Sequence, residues 1–323
     1  MEEIVNRPME AAARKCISIM VPTYNEEENV IPLSQAIIEE FAKSLPQYDY
    51  EIVFIDNCSR DSTREKLRTL CAENPRIKAI FNVRNFGQFN SPYHGICQTS
   101  GDCTIPLCAD FQDPIEMIPR LVAEWERGYK VVCAVKTTSR ENRIMRFLRT
   151  CYYKAIRKMS SVEQIEHFTG FGLYDRTFVD VLRNLDDPTP FIRGIVAELG
   201  FSKIEIPYEQ AKRRAGKTSN NFNTLYDAAM LSFTTYTKTP IRAVSFLGWL
   251  LLTLSLCGGV VCGVLGALDV DIDLYWLIPV IGFFASINLV GLGLVGEYIL
   301  TLRSKIMRRP LVIEQERINF EKQ

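Results

Sequence analysis

Short apolar runs alternate with longer amphipathic stretches over the first two thirds of the chain. The short runs predict buried strands at 16–21, 52–55, 77–81, 103–107, 130–135 and 204–207. The amphipathic stretches predict four helices. One lies at 30–45, one begins near 63, one ends at about 99, and one lies at 117–127. Strands that alternate with helices predict an α/β fold with a mostly parallel sheet and right-handed crossovers.

Polar side chains follow each of the first four predicted strands. They are Tyr24 and Glu26, Asp56, Arg84 and Asn85, and Asp110 and Gln112. Because parallel strands end at the same edge of a sheet, these side chains are expected to border one crevice. Open α/β sheets bind their ligands at that edge, which favours a binding site over a set of ordinary polar loops.

The acidic turn after the fourth strand runs from Cys108 to Pro114. Within it, Asp110 and Gln112 carry a carboxylate and an amide oxygen two positions apart, so both can face one hard cation. Mg²⁺ and Mn²⁺ prefer such oxygen ligands and usually share them with substrate phosphates. The alternative interpretation is an ordinary Asx turn in which Pro114 ends the strand.

Two apolar stretches near the C-terminus, 243–268 and 274–302, exceed the roughly 20 residues that cross a bilayer. Asp269, Asp271 and Asp273 lie between them, whereas basic residues flank their outer ends. The positive-inside rule therefore predicts a hairpin with both ends in the cytoplasm. The predicted parts are a cytoplasmic α/β domain at 1–220, an amphipathic membrane-surface helix at 221–241, a transmembrane hairpin at 242–303 and a cytoplasmic tail at 304–323.

A basic stretch follows the fifth predicted strand. Between Arg146 and Arg157 basic residues interleave with aromatic and aliphatic ones, as in an amphipathic helix that binds anionic lipid or phosphate. A solvated surface helix has the same composition, so both interpretations stay open. A second basic cluster lies at 212–217.

Charge and cysteine content exclude several classes of protein. The 38 basic and 38 acidic residues cancel, so the chain has no global field for nucleic acid. Ten cysteines without a C-x-x-C pair or a secretory leader indicate reduced thiols in the cytosol. His94 and His167 are too few and too far apart for a histidine-based zinc site.

Five motifs occur in a fixed order along this chain. They are Val21-Pro22-Thr23-Tyr24-Asn25-Glu26, the cluster after Asp56, Arg84-Asn85-Phe86-Gly87, Ala109-Asp110-Phe111-Gln112-Asp113-Pro114, and Gly296-Glu297-Tyr298-Ile299 with Arg309-Pro310. With the two apolar spans, this order resembles the polyprenyl-phosphate glycosyltransferases of glycosyltransferase family 2, which include dolichol-phosphate mannose synthase and the bactoprenol glucosyltransferases.

The resemblance implies a GT-A nucleotide-sugar-binding domain and an inverting transfer of sugar to a polyprenyl phosphate. The donor would be a UDP- or GDP-linked sugar, and the acceptor undecaprenyl or dolichyl phosphate. The product would serve cell-envelope or glycoconjugate synthesis. The further expected partners are the bilayer, in a bacterial inner membrane, and a second copy of the chain.

The resemblance also implies roles for individual residues. Those expected to hold the nucleotide sugar are Pro22, Tyr24, Glu26, Asp56, Arg84 and Asp110. Asp110 and Gln112 are expected to hold Mg²⁺ or Mn²⁺, and together with Arg213 they form the expected catalytic set. Those expected to face the acceptor phosphate are Lys136, Arg146, Arg149 and Arg213.

The chain departs from the family pattern at several positions. Cys108 replaces the first acid of Asp-x-Asp, and Asn57 replaces the second acid of an Asp-Asp pair. The family's Asp-Phe-Arg-Leu appears as Gly170-Phe171-Gly172-Leu173, and its late Ser-Lys appears as Thr218-Ser219. A degenerate transferase that acts as a membrane binding or scaffold protein is therefore one alternative. A processive polysaccharide synthase is another, although its Gln-x-x-Arg-Trp motif is absent.

Overall fold

The computed structural model describes residues 14–137, 165–211 without 186, 188 and 189, residues 213 and 214, a set of residues between 281 and 306, and 310–320. The chain divides into two compact units. The first contains 1–140, 165–218 and 309–323, and the second contains 141–164 and 219–308.

An eight-stranded sheet forms the centre of the first unit, in the order β7-β5-β6-β4-β1-β2-β3-β8. Its strands are β1 (Cys16–Thr23), β2 (Asp49–Asp56), β3 (Ile77–Asn82), β4 (Cys103–Pro106), β5 (Val131–Lys136), β6 (Phe168–Asp175), β7 (Lys203–Tyr208) and β8 (Glu314–Ile318). The helices are α1 (Val30–Ser44), α2 (Thr63–Glu73), α3 (Gly87–Gln98), α4 (Met117–Glu126), α5 (Arg176–Asn184) and α6 (Ile192–Glu198).

The four strands β1 to β4 run parallel, so their carboxyl ends meet at one edge. Thr23, the last residue of β1, pairs with Asp56, the last residue of β2. On the other side of β4, β6 runs antiparallel to β4 and β5, whereas β5 and β7 are parallel. The prediction of a mostly parallel α/β sheet is confirmed.

Helices cover both faces of this sheet, which explains why the central strands are continuous apolar runs. One core cluster holds α1, α2 and α4 against one face, and a second holds α3, α5 and α6 against the other. Ile19 and Met20 are adjacent on β1 but belong to opposite clusters, because successive side chains of a strand alternate. Ile52 and Val53 do the same on β2.

Two strands of the sheet were not predicted. β6 contains Gly170 and Gly172, and glycine is typical of turns rather than strand interiors. β8 has the polar sequence Glu-Gln-Glu-Arg-Ile and alternates between half-buried and exposed residues. Within the predicted cytoplasmic tail at 304–323, residues 314–318 pair antiparallel with β3 as the edge strand of the sheet.

In the second unit, the described residues between 281 and 306 that carry a secondary-structure assignment are helical. Exposed apolar side chains recur among them every three or four positions, at Leu292, Val295, Ile299, Leu302 and Ile306. Within the part of the chain that the structure describes, no helix has both the length and the apolar character needed to cross a bilayer. The predicted surface helix, the first span and much of the second span lie outside the described residues.

Gly172 has a steric role in the pairing of β5 and β6. It pairs with Cys133, and a Cβ atom at this position would lie 2.1 Å from the carbonyl oxygen of Val132. The glycine that replaces the family's arginine is therefore required by the close approach of the two backbones.

Replacing Gly172 with alanine is expected to destabilise the protein by about 2 kcal/mol, because the new methyl group overlaps the neighbouring backbone. Thermal unfolding in detergent measures the effect. Glu205→Ala on the exposed side of β7 is the control and should change stability by less than about 0.5 kcal/mol. Equal stability of Gly172→Ala and the wild type would contradict this account of β6.

Candidate active site

The turn after β4 places Asp110 at the carboxyl edge of the sheet, where its residue is only 4% exposed. Oδ1 of Asp110 accepts a hydrogen bond of 3.1 Å from the backbone N–H of Gln112. Phe111 between them has a φ of 60°, in the left-handed region that non-glycine residues rarely occupy. Such strain persists where the surrounding structure enforces it, which is common at functional sites.

Arg213 lies directly against this turn. Its Nη2 atom is 2.8 Å from Oδ2 of Asp110. The backbone N–H groups of Arg214 and Ala211 donate to the carbonyl oxygens of Asp110 and Gln112, at 3.1 and 3.2 Å. The segment after β7 is thus fastened over the turn, and the three predicted catalytic residues are brought together.

Gln210 is a member of this site that the sequence analysis missed. Its Nε2 donates to Oε1 of Gln112 at 3.2 Å, and its Oε1 accepts from Nζ of Lys136 at 2.7 Å. Gln210 therefore connects a predicted metal ligand with a predicted phosphate-binding residue. In the sequence, the one feature that could have indicated Gln210 as a site residue is its position between the strand at 204–207 and the basic cluster at 212–217.

Glu26 borders the same site from the loop after β1. Burial raises the pKa of its carboxyl group, and the nearby charge of Asp110 raises it further, whereas Asn29 and Arg213 act in the opposite direction. The backbone N–H of Glu26 donates to the Thr63 hydroxyl at 2.9 Å, which fixes this loop to α2.

Pro22 and Tyr24 are half-buried in the same region of the chain. The next residue, Asn25, has a φ of 57°, and its N–H donates to the hydroxyl of Ser59 at 2.9 Å. The loops after β1 and β2 are therefore joined to each other.

Asp56 ends β2 and is fully buried. Its carboxylate accepts hydrogen bonds from the backbone N–H and the hydroxyl of Ser59 and forms a 2.6 Å ion pair with Nε of Arg64. The predicted contact of Asp56 with the nucleotide stays a prediction. In the structure, this carboxylate holds the loop after β2 through Ser59 and the start of α2 through Arg64.

Arg84 is exposed, and its guanidinium carbon lies 4.1 Å from the ring centroid of Phe86. It belongs to the loop after β3, on the same sheet edge. Of the four predicted acceptor-phosphate residues, Lys136 and Arg213 lie at the site, whereas Arg146 and Arg149 lie outside the described residues.

The donor atoms at the turn are compatible with a divalent cation that is bound mainly through a diphosphate. Asp110 supplies one carboxylate and Gln112 one amide oxygen, and Mg²⁺ commonly takes one or two protein carboxylates together with substrate phosphates. In the described part of the chain, no three His, Cys, Asp or Glu side chains converge as a metal site of their own.

Comparison with known proteins identifies the family. The family model described as "Glycosyl transferase family 2" matches residues 18–182, which is more than half of the chain and contains most of β1 and all of β2 to β6. The chain belongs to glycosyltransferase family 2.

Relatives of this glycosyltransferase match over nearly its whole length. The bactoprenol glucosyl transferase of Shigella phage SfII is 31% identical over 307 residues, which cover 92% of this chain and 96% of the relative. The prophage bactoprenol glucosyl transferase homolog of Escherichia coli K12 is 30% identical over 310 residues, covering 92% and 97%. The putative glycosyltransferase CsbB of Bacillus subtilis is 29% identical, covering 93% and 91%.

Cys108 stands where the family has an acid, and its surroundings in this glycosyltransferase explain the tolerance of a neutral residue. Its backbone N–H donates to Oδ2 of Asp113 at 3.1 Å, and its thiol also hydrogen-bonds that carboxylate. Oδ1 of Asp113 accepts from the Tyr208 hydroxyl at 3.2 Å. Burial raises the pKa of Asp113, so a second carboxylate at position 108 would lie against an already unfavourable charge.

Asn57 joins the ends of β2 and β3. Its Nδ2 donates to Oδ1 of Asn85 at 2.9 Å and to the carbonyl oxygen of Gly87 at 3.2 Å. Its Oδ1 accepts from the N–H of Phe86 at 2.9 Å and from Nδ2 of Asn82 at 3.2 Å. Both ends of the amide are used, so an aspartate could not replace it with the same contacts.

Asn57→Asp restores the family residue but is expected to destabilise the loop after β3 by about 1–3 kcal/mol. The carboxylate would face two acceptors and lie next to the charge of Asp56. Thermal unfolding and proteolysis at Arg84 measure the effect. Asn57→Ser, which keeps a donor and adds no charge, is the comparison variant and should be less harmful. A more stable Asn57→Asp protein would refute this role.

Proposed function

We propose that this glycosyltransferase moves a sugar from a nucleotide sugar to a polyprenyl phosphate. The observation that carries the proposal is the cluster of Asp110, Gln112 and Arg213 at the carboxyl edge of the parallel strands. It combines oxygen ligands for a cation with a guanidinium group that suits a phosphate. The similarity to the bactoprenol glucosyl transferases supports this acceptor class.

The acceptor phosphate explains why the site needs no strong base. A phosphate monoester has a second pKa near 6 and is largely dianionic at neutral pH, so no proton has to be removed before it attacks. Direct displacement of the nucleoside diphosphate by this oxygen inverts the anomeric centre. The main task of the protein is then to orient the two substrates and to stabilise charge.

Each residue of the site has a distinct part in this mechanism. Arg213 holds the acceptor phosphate through its planar fork, and Lys136 adds a point charge beside it. Gln210 keeps Gln112 and Lys136 in register, because it hydrogen-bonds both. A divalent cation, when bound at Asp110 and Gln112, stabilises the negative charge that develops on the leaving diphosphate.

The same proposal assigns the C-terminal apolar segments to the bilayer. It is supported by the length of the stretches 243–268 and 274–302 and by the basic residues at their outer ends. The exposed apolar side chains between Leu292 and Ile306 suit contact with lipid. The transferase domain and both ends of the hairpin then face the cytoplasm, in a bacterial inner membrane.

Asp110→Asn is expected to lower transfer by at least about a hundredfold, since it removes the carboxylate assigned to the cation while keeping a hydrogen-bond acceptor. Purified protein in neutral detergent is assayed with UDP- and GDP-sugars against undecaprenyl and dolichyl phosphate. Added EDTA should abolish wild-type transfer, and excess Mg²⁺ or Mn²⁺ should restore it. Wild-type rates in Asp110→Asn with EDTA present would disprove the metal assignment.

Arg213→Ala is expected to raise the KM for the polyprenyl phosphate about tenfold or more while the donor KM changes little. Arg213→Lys should recover only part of the loss, because an ammonium group lacks the planar fork. Michaelis kinetics with both substrates varied in neutral detergent separate this role from attraction to anionic lipid. Unchanged acceptor kinetics in both variants would remove Arg213 from the acceptor site.

A cysteine placed at Asp271, in a variant without other reactive thiols, should react with an impermeant reagent only from the periplasmic side. The reason is that the acidic connector lies opposite the basic flanks of the hairpin. Sealed vesicles of both orientations provide the measurement, with a cysteine at Glu205 as the cytoplasmic control. Labelling at position 271 from the cytoplasmic side alone would overturn the topology.

A further inference from the structure

Arg64 connects three strand ends through the three nitrogens of one guanidinium group. Nε pairs with Oδ2 of Asp56 at 2.6 Å, at the end of β2. Nη2 donates to the carbonyl oxygen of Asn82 at 2.5 Å, at the end of β3. Nη1 donates to Oε1 of Gln315 at 3.0 Å, on β8. The group also lies over the ring of Phe81, with its carbon 5.5 Å from the ring centroid.

The C-terminal strand β8 lies beside the loop that follows β3. The N–H of Val83 donates to the carbonyl oxygen of Ile313 at 3.1 Å, directly before the Arg84–Gly87 motif. On the other side of the strand, Nε2 of His94 lies 2.5 Å from Oε1 of Glu314. Although burial alone would raise it, the contacts with His94 and Arg317 lower the pKa of Glu314 to about 2. The strand is therefore attached to both β3 and α3.

Asp56 is a buried carboxylate whose position depends on these contacts. A buried charge needs a paired and hydrogen-bonded partner, and among the described residues Arg64 is the cation that forms an ion pair with Asp56. Arg64 in turn is held in its plane by Asn82 and Gln315. A shift of the Gln315 side chain is thus transmitted to Asp56 and to the end of β3.

We propose that Gln315 and Arg64 are positioning residues for the donor nucleotide, so that the C-terminal strand forms part of the donor site. The inference rests on the proposed function and on the expectation from the sequence that Asp56 and Arg84, at the ends of β2 and β3, hold the nucleotide. Gln315 acts through Arg64, which keeps Asp56 and the end of β3 in the arrangement that receives the donor. Neither side chain takes part in the chemical step.

The chain offers a matched control on the same strand. Glu316 is adjacent to Gln315 and pairs with Arg68 at 2.8 Å, an ion pair in which both side chains are substantially exposed. Such a pair contributes about 0–1 kcal/mol to stability, and Arg68 acts on Asp56 through the field of its charge, whereas Arg64 forms a direct hydrogen-bonded ion pair with it. Gln315→Ala and Glu316→Ala therefore each remove one arginine contact of β8, but only the first loosens Arg64.

The test measures the binding of UDP and of GDP to the full-length variants by calorimetry, together with donor KM and kcat. Gln315→Ala is expected to weaken binding of the preferred nucleotide about three- to tenfold and to raise the donor KM by the same factor, with kcat near the wild-type value. Glu316→Ala should change neither quantity by more than about twofold. Gln315→Glu keeps an acceptor oxygen at the same reach and should restore the affinity.

Other outcomes would separate this inference from the proposed function. Wild-type nucleotide affinity in Gln315→Ala, or equal losses in Gln315→Ala and Glu316→Ala, would overturn the inference while leaving nucleotide-sugar transfer intact. A wild-type protein that binds neither nucleotide would overturn the proposed function and the inference with it. Melting temperatures of all variants, measured alongside, show whether a lost affinity reflects loss of the fold.

Discussion

Two buried carboxylates at one edge of the sheet determine how the loops of this protein are arranged. Asp56 ends β2, and Asp110 lies in the turn after β4. Both residues are almost fully removed from water. A carboxylate in such a place is stable only with cationic or hydrogen-bonding partners. Arg64 pairs with Asp56, and Arg213 pairs with Asp110. Each ion pair therefore holds the segment that contains the arginine against the loops at this edge. The loops are held by charge, whereas the sheet beneath them is held by apolar packing.

The sequence was sufficient for most of the sheet because both faces of the central strands are covered. A continuous apolar run such as 52–55 is typical of a strand that is buried on both faces between two layers of helices. The same argument located Asp56 and Asp110 at the ends of their strands. It could not locate β8, because Glu314 and Glu316 are half-buried and Gln315 is exposed on this edge strand, which leaves no apolar pattern. Gly170 and Gly172 obscured β6. The close approach of β5 requires Gly172, and Gly170 has a φ of 98° in the left-handed region, so the reason for each glycine is visible only in the structure.

The partners of the site residues were beyond the reach of sequence patterns, since each comes from a different part of the chain. Gln210 contacts Gln112 and Lys136 because β7 runs parallel to β5, so the residues that follow β7 lie over the acidic turn. The departures from the family pattern are also local compensations. Asn57 uses both ends of its amide, and Cys108 spares Asp113 a second negative neighbour. Each of these residues fits contacts in its surroundings that a motif read residue by residue cannot show.

The place of β8 has a consequence for the biosynthesis of the protein. β3 is translated early, but the strand that covers its edge is translated only after the apolar segments that follow the transferase domain. Until then β3 presents an open row of backbone groups, the kind of edge that pairs with other chains. Under the membrane anchoring proposed above, rapid insertion of those segments during translation would shorten the life of this exposed edge. Slow insertion would prolong it and favour aggregation of an otherwise complete domain.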